Sequence, residues 1–229
     1  SWPYLVKLAV ATIPAAFVGV LFKDWFEARF DDPAFTGTML LVTGSFLWST
    51  RWTRDERRAG WKEILPIVVA ALVSLLAGTM IPFFGVLALE AALMLFARRT
   101  ATPEWLAEPR MSGAVLMGIA QAVAIFPGIS RSGSTVVTAL WRRIDPVTAA
   151  EFSFLMSIPA ILGAAVLDVP QVASEGFGVA GLPLLVGFVG AAVSGVLAIR
   201  YFVAMLKRQN FYTFAWYCWA IGAVFLLTL

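Results

Sequence analysis

The segment Phe126-Pro127-Gly128-Ile129-Ser130-Arg131-Ser132-Gly133-Ser134-Thr135 sets an arginine, four hydroxyls and two glycines between two apolar stretches. A charge at membrane depth costs about 2.5–3.5 kcal/mol on insertion scales. Non-helical backbone at that depth is tolerated only where protein or a water-filled cavity surrounds it. Arg131 therefore needs a partner, and an anionic one. Gly128 and Gly133 free the backbone to turn N–H groups towards one centre. The residues after Gly133 are predicted to begin a helix, and a helix N-terminus attracts anions. Ser130, Ser132, Ser134 and Thr135 add hydroxyl donors, and the planar fork of Arg131 can grip two phosphate oxygens. Together these residues describe a cradle for a phosphate or a diphosphate. It is not a Walker loop, because the lysine and its spacing are missing. Small residues also let membrane helices pack closely. Close packing has no use for a buried cation, so Arg131 favours the cradle.

The elements that position this segment are apolar. The 229 residues are 60% hydrophobic and 14% charged, against about 25% charged in ordinary soluble domains. The apolar excess runs along the whole chain, so lipid must be the solvent for much of it. Apolar helices are predicted over 5–22, with Pro14 as a kink, and over 35–49, 146–167, 182–205 and 211–229. Residues 23–32 are polar and aromatic, suited to the membrane surface. Residues 64–96 exceed the roughly 20 residues of one span and are broken by Pro82, Phe83, Phe84 and Gly85, which predicts two short helices or a hairpin. Residues 112–126 are too short to span. With 134–141 they are predicted to form a re-entrant pair of half-helices around the cradle. The fold class is all-α: a single polytopic transmembrane helix bundle over 1–229. Broken segments at 82–85 and 127–133 would suit an inverted repeat, though no repeat is visible in the sequence.

The net charge is +3. The basic residues sit mostly in short loops, among them Arg51, Arg54, Arg57, Arg58 and Lys62. They read as topology charges and not as a nucleic-acid surface. Arg200, Lys207 and Arg208 flank the last hairpin and place it in the cytoplasm. The acidic loop predicted over 168–181 is then periplasmic. The nine tryptophans are expected to anchor the chain at the membrane interfaces. The single cysteine, Cys218, lies in an apolar run and is expected to be inert. There is no histidine, which excludes a Ser–His pair, a histidine phosphoenzyme and a histidine-ligated zinc. The chain starts at Ser1 with no visible signal peptide, and its N-terminus is read as cut.

Residues 127–135 resemble the P-G-x-S-R-S-x-x-T signature of the undecaprenyl-diphosphate phosphatases of the bacitracin-resistance type. The flanks resemble that family too: Gly118-Ile119-Ala120-Gln121-Ala122 before the signature, then Glu151-Phe152-Ser153-Phe154-Leu155 and Ile158-Pro159-Ala160 after it. The likeness covers roughly 2–49 and 111–229. It implies hydrolysis of undecaprenyl diphosphate to undecaprenyl phosphate and phosphate at the outer face of the bacterial inner membrane, in the recycling of the cell-wall lipid carrier. By position, Arg131, Ser130 and Ser132 become the catalytic candidates, and Gly128, Gly133, Ser134, Thr135 and Gln121 the substrate-binding ones. A divalent cation, magnesium or calcium, is implied, with most of its ligands outside this chain. The family's earlier glutamate-rich motif with serines and a histidine is absent here. The piece alone is therefore expected to be inactive. Residues 64–99 are longer and more apolar than the loop expected there.

Three other polar residues stand out. Glu90 lies inside an apolar run, and an intramembrane carboxylate is a functional candidate. The blander expectation, a place near a helix end or a pair with an arginine such as Arg98, is preferred. Glu151 either faces Arg131 or marks a helix start. Gln121 either bonds the loop or satisfies neighbouring backbone. A different function class remains open: a polyprenyl-phosphate transporter that uses the cradle without hydrolysis. The expected partners are a polyprenyl diphosphate lipid and the bilayer, without nucleic acid. A homodimer is one assembly the reading allows.

Overall fold

The structure is a computed structural model that describes residues 2–53, 61–175, 181–208 and 210–228. Arg54, Arg57 and Arg58 fall outside these residues, and the side chain of Lys62 is not described. Among the described residues ten α-helices follow one another: α1 Trp2–Leu21, α2 Lys23–Phe30, α3 Pro33–Trp48, α4 Trp61–Leu76, α5 Met80–Arg99, α6 Met111–Val123, α7 Arg131–Trp141, α8 Pro146–Glu175, α9 Gly181–Lys207 and α10 Phe214–Thr228. Five stretches of the described residues are long and apolar enough to cross a membrane: Trp2–Leu21, Met80–Arg99, Pro146–Gly163, Gly181–Lys207 and Phe211–Thr228. No strand occurs among the described residues, as expected of an all-α polytopic bundle.

Local chemistry sets the helix starts. Asp32 caps α3 by accepting from the Phe35 N–H at 2.9 Å, and Pro33 takes the first helical position, where no N–H is needed. Asp145 caps α8 by accepting from the N–H groups of Val147 at 3.0 Å and Thr148 at 3.2 Å, with Pro146 following it.

Residues 64–96 do form two helices, but the break is elsewhere than expected. The chain turns at Gly78, whose φ of +71° suits glycine. Pro82 lies inside the first turn of α5, where its missing N–H breaks no helical bond. The second correction concerns the acidic loop expected over 168–181. Asp168 and Glu175 both belong to α8, which absorbs Pro159 and Pro170 and runs on to Glu175. Residues 176–180 of that loop lie outside the described residues. A third concerns the tryptophans. Trp48, Trp141 and Trp219 are interior, not interfacial. Trp219 donates to Leu41 O at 3.1 Å and Trp141 to Ser49 Oγ at 3.2 Å, so each indole N–H is satisfied inside the protein.

The short helix α7 is the hub. All its residues from Gly133 to Trp141 are buried, and it packs against α3, α5, α6 and α8. Around it α1 lies along α6, and α3 along α10. The C-terminal end of α7 is tied to the 100–110 loop. Arg142 donates to Thr100 O and to Ser112 Oγ, and Leu106 exchanges backbone hydrogen bonds with Arg143 and Asp145. Burial, and then the nearby positive charge of Arg110, lowers the Arg142 pKa from its ordinary value. Cys218 is buried in the α3–α10 seam.

The α1–α6 seam depends on Gly118. A Cβ there would stand 2.3 Å from Ala11 O. We expect Gly118→Val to separate the two helices and to lower the yield of monodisperse protein and its thermal midpoint in detergent. The cost should exceed the ~1–3 kcal/mol of ordinary overpacking, because backbone must move. An unchanged midpoint would contradict this packing.

Candidate functional site

The site is built where α6 stops in mid-bundle and α7 begins. α6 ends at Val123, and residues 124–130 turn the chain back. The expected pair of half-helices is therefore present, with one shift. α7 starts at Arg131, not after Gly133, and Ser130 is its cap. The Ser130 hydroxyl accepts from the Gly133 N–H at 3.1 Å. Gly133 is thus part of the first helical turn, and its N–H is already used. Gly128 is the residue that needs to be glycine. Its φ is +94°, and a Cβ there would lie 2.3 Å from Thr36 O.

Capping moves the free donors. The backbone N–H groups of Arg131 and Ser132, in the first turn, have no partner within a helix. They sit beside the Arg131 guanidinium at the positive end of α7. Arg131 is partly buried. Its Nη1 donates to Ser153 O at 3.1 Å and to Gln121 Oε1 at 3.5 Å. Both acceptors are uncharged, and no ion pair to Arg131 occurs among the described residues. Gln121 therefore bonds the loop's arginine, one of the two alternatives for it. Its own Nε2 is buried with no partner. The guanidinium and the orphaned amide donor are neighbours, and Arg131 also opens a helix whose first N–H groups are unpaired; each of these donors suits an anion.

The other signature residues hold the loop in place. Thr135 Oγ1 donates to Arg131 O at 2.9 Å and shares a 2.6 Å hydrogen bond with Ser153 Oγ. Ser134 is buried and donates to Glu90 Oε1 at 3.0 Å. Ser132 is partly exposed, and its carbonyl accepts from Thr135 Oγ1 at 3.3 Å while its hydroxyl has no partner among the described residues. Glu151 is exposed on α8 and makes no ion pair with Arg131. Glu90 overturns the bland expectation for it. It is not near a helix end and does not pair with Arg98, whose guanidinium lies 5.6 Å from the Trp141 ring centroid.

Sequence reasoning missed two supports. Thr43 of α3 accepts from the Ser130 N–H at 3.1 Å and donates to Gly128 O at 3.1 Å, so one hydroxyl clamps the loop on both sides. Ser153 of α8 was visible only as part of a family-like flank. Thr43 gave little signal, because it is one of four hydroxyl residues in the apolar run of α3, with Thr36, Thr38 and Ser45. A hydroxyl there ordinarily bonds its own helix, as Ser45 does to Leu41 O at 2.9 Å.

Beside the loop lies an apolar groove of about 490 Å³. Phe22, Trp25, Leu89, Ile119, Ala122 and Phe126 are among its lining residues. Phe126 ties it to the loop. The Phe126 ring packs edge-on to Trp25 at 5.6 Å and Phe26 at 5.4 Å, so α2 covers the groove's loop end.

The chain is similar to known proteins over most of its length. The family described as bacitracin resistance protein BacA matches residues 1–79 and 54–224. An undecaprenyl-diphosphatase of Methanothermobacter thermautotrophicus is 35% identical over 217 residues, 95% of this chain and 96% of that protein. One of Alkaliphilus metalliredigens is 34% identical over 221 residues, 96% of this chain but 64% of that protein. Undecaprenyl-diphosphatase 4 of Bacillus cereus is 35% identical over 228 residues, 98% of this chain and 69% of that protein. The chain thus spans about two thirds of the latter two relatives.

The double role of Thr43 is testable. Thr43→Val removes both hydrogen bonds and leaves buried Gly128 O and Ser130 N–H unsatisfied. Such a loss costs about 1–3 kcal/mol. We expect weaker binding of a polyprenyl diphosphate, measured by titration in detergent, while Thr43→Ser stays near the wild type. Equal binding by the valine variant would remove Thr43 from the site.

Proposed function

The chain belongs to the bacitracin resistance protein BacA family, and on that premise we propose that it hydrolyses undecaprenyl diphosphate to undecaprenyl phosphate and phosphate, recycling the lipid carrier of cell-wall synthesis. The observation that carries this reading is the Arg131 guanidinium, set at a re-entrant helix start with only neutral partners. A diphosphate supplies the missing negative charge, and its prenyl chain suits the apolar groove that begins at Phe126. In this reading Arg131 binds the diphosphate through two oxygens, with the N–H groups of Arg131 and Ser132, the Ser132 hydroxyl and Gln121 Nε2 as further donors. Gly128 and Gly133 shape the loop, and Ser130 and Thr135 hold it.

Hydrolysis forms a bond from a water oxygen to the terminal phosphorus and breaks the bond from that phosphorus to the bridging oxygen. Undecaprenyl phosphate leaves with the bridging oxygen, and the water's proton goes to solvent or product. Negative charge shifts onto that bridging oxygen as the bond breaks, and donors fixed beforehand stabilise it without reorganising. Arg131 is the largest of them. A divalent cation, if bound, would supply further neutralisation of phosphate charge. Among the described residues no group of three or more His, Cys, Asp or Glu could hold a metal ion.

The proposal extends to the inner membrane, with the cradle open to the periplasm. That orientation rests on the basic Arg200, Lys207 and Arg208 near the last turn. It also includes a homodimer. α9 supports it: the helix is apolar from Leu182 to Val193, none of its most apolar window is buried, and Gly187, Gly190 and Gly195 have open space at their Cβ positions. A mass of two chains in detergent would be its signature.

The test is phosphate release from a C55 or C15 polyprenyl diphosphate by the full-length protein in detergent, with Arg131→Ala alongside. We expect the variant to lose at least two orders of magnitude, or ~2.7 kcal/mol of transition-state stabilisation. Binding of the lipid without phosphate release by the wild type would overturn the reading and leave Arg131 a binding residue only.

A further inference from the structure

Glu90 is the one carboxylate buried among the described spanning helices, at 1% exposure. It lies near the middle of α5, about 15 Å from either end at 1.5 Å per residue. Its Oε1 accepts from the Ser134 hydroxyl at 3.0 Å, and its Oε2 has no partner. No basic side chain reaches it; the described ion pairs are Lys7–Glu108, Lys23–Glu27 and Arg29–Asp32. A carboxyl group in such a place is costly. Nothing in the packing of α5 requires it, since a leucine would fill the space. What it touches is the first turn of α7, the turn that carries Arg131 and Ser132.

We propose that Glu90 is a positioning residue of the cradle: through Ser134 it sets the rotation and depth of the α7 N-terminus, and so the aim of Arg131 and of the Ser132 N–H. The first turn is then fixed from three sides by three helices. Thr43 of α3 holds Ser130, Ser153 of α8 holds Arg131 and Thr135, and Glu90 of α5 holds Ser134. Misplacing a catalytic donor by about 1 Å can cost two orders of magnitude in rate. This assigns a role to residues 64–99, the stretch that the family likeness left unmapped. α5 brings a side chain to the phosphate end through Glu90 and to the apolar groove through Leu89.

The inference rests on the phosphatase reading, and the experiment separates the two. Phosphate release and lipid binding are measured for wild type, Glu90→Leu, Glu90→Gln, Ser134→Ala and Glu90→Leu/Ser134→Ala, with thermal midpoints in detergent. Glu90→Leu should lose tenfold or more in kcat with a smaller change in KM, while its midpoint holds or rises, because a buried carboxyl has been replaced by a hydrocarbon. Glu90→Gln keeps an oxygen that accepts from Ser134 and should recover most of the rate lost in the leucine variant. The double variant should be no slower than the slower single one, since both changes break one contact. If Glu90→Leu does not fold, Ser134→Ala carries the same expectation. Unchanged kcat in the leucine and alanine variants, multiplying losses in the pair, or a glutamine variant as slow as the leucine one would overturn the inference. If the wild type releases no phosphate, the phosphatase reading fails instead. Positioning then stands only if Glu90→Leu and Ser134→Ala weaken binding of the lipid by the same factor, and falls if they do not.

Discussion

A guanidinium taken out of bulk water and left without a carboxylate is the constraint around which this protein is arranged. Arg131 keeps its charge under almost any conditions. At membrane depth that charge must be met by oriented dipoles or by a ligand. The protein offers dipoles only: the Ser153 carbonyl and the Gln121 amide oxygen. The positive end of α7 adds to the field and does not offset it. The region therefore stays electropositive until an anion arrives. An internal carboxylate on Arg131 would have neutralised that charge within the protein itself.

Holding such a region requires irregular backbone inside the bundle, and irregular backbone there must have its polar groups satisfied. The turn from α6 to α7 solves this with hydroxyls from neighbouring helices. Thr43 serves an N–H and a carbonyl at once, Ser130 caps the helix it begins, and Thr135 and Ser153 share a 2.6 Å bond. These bonds are worth more here than at a surface, because the alternative is an unpaired group away from water. They also make the loop rigid, so the donors are already placed when charge develops on a substrate. Gly128 completes the turn, since Thr36 O occupies the space of any side chain at that position.

The apolar part of the molecule serves the same end. α7 is too short to span, so the full-length helices must enclose it and keep lipid from its flanks. They do so through close seams. Ala11 approaches Gly118 across α1 and α6, and Trp219 reaches into α3 to bond Leu41 O. The aromatic cluster of Trp25, Phe26 and Phe126 lines the end of the apolar groove that adjoins the polar loop. One face of the loop meets charge and the other meets hydrocarbon, as an amphipathic lipid requires.

Much of this was legible in the residues. Apolar runs of spanning length and the short run before Pro127 pointed to the all-α membrane bundle and to the pair of short helices around residues 124–130. These depend on composition and on local cost, which a linear sequence carries directly. Capping was only half visible. Ser130 followed three residues later by Gly133 starts the helix earlier than the glycine suggested, because a hydroxyl that accepts from an N–H outweighs a residue with no helix preference. The turn at Gly78 was hidden by Pro82, a stronger local breaker that the first turn of α5 tolerates. Long-range contacts were not visible at all. Thr43 meets residue 130 from 87 positions away, and Glu90 meets Ser134 from 44. Which side chain faces which across two helices depends on their rotation and crossing, and only the packed bundle sets those. The sequence by itself determined that a cation would stand at a break between two apolar helices. The tertiary structure decided which neutral groups would hold that turn and which carboxyl group would stand behind it.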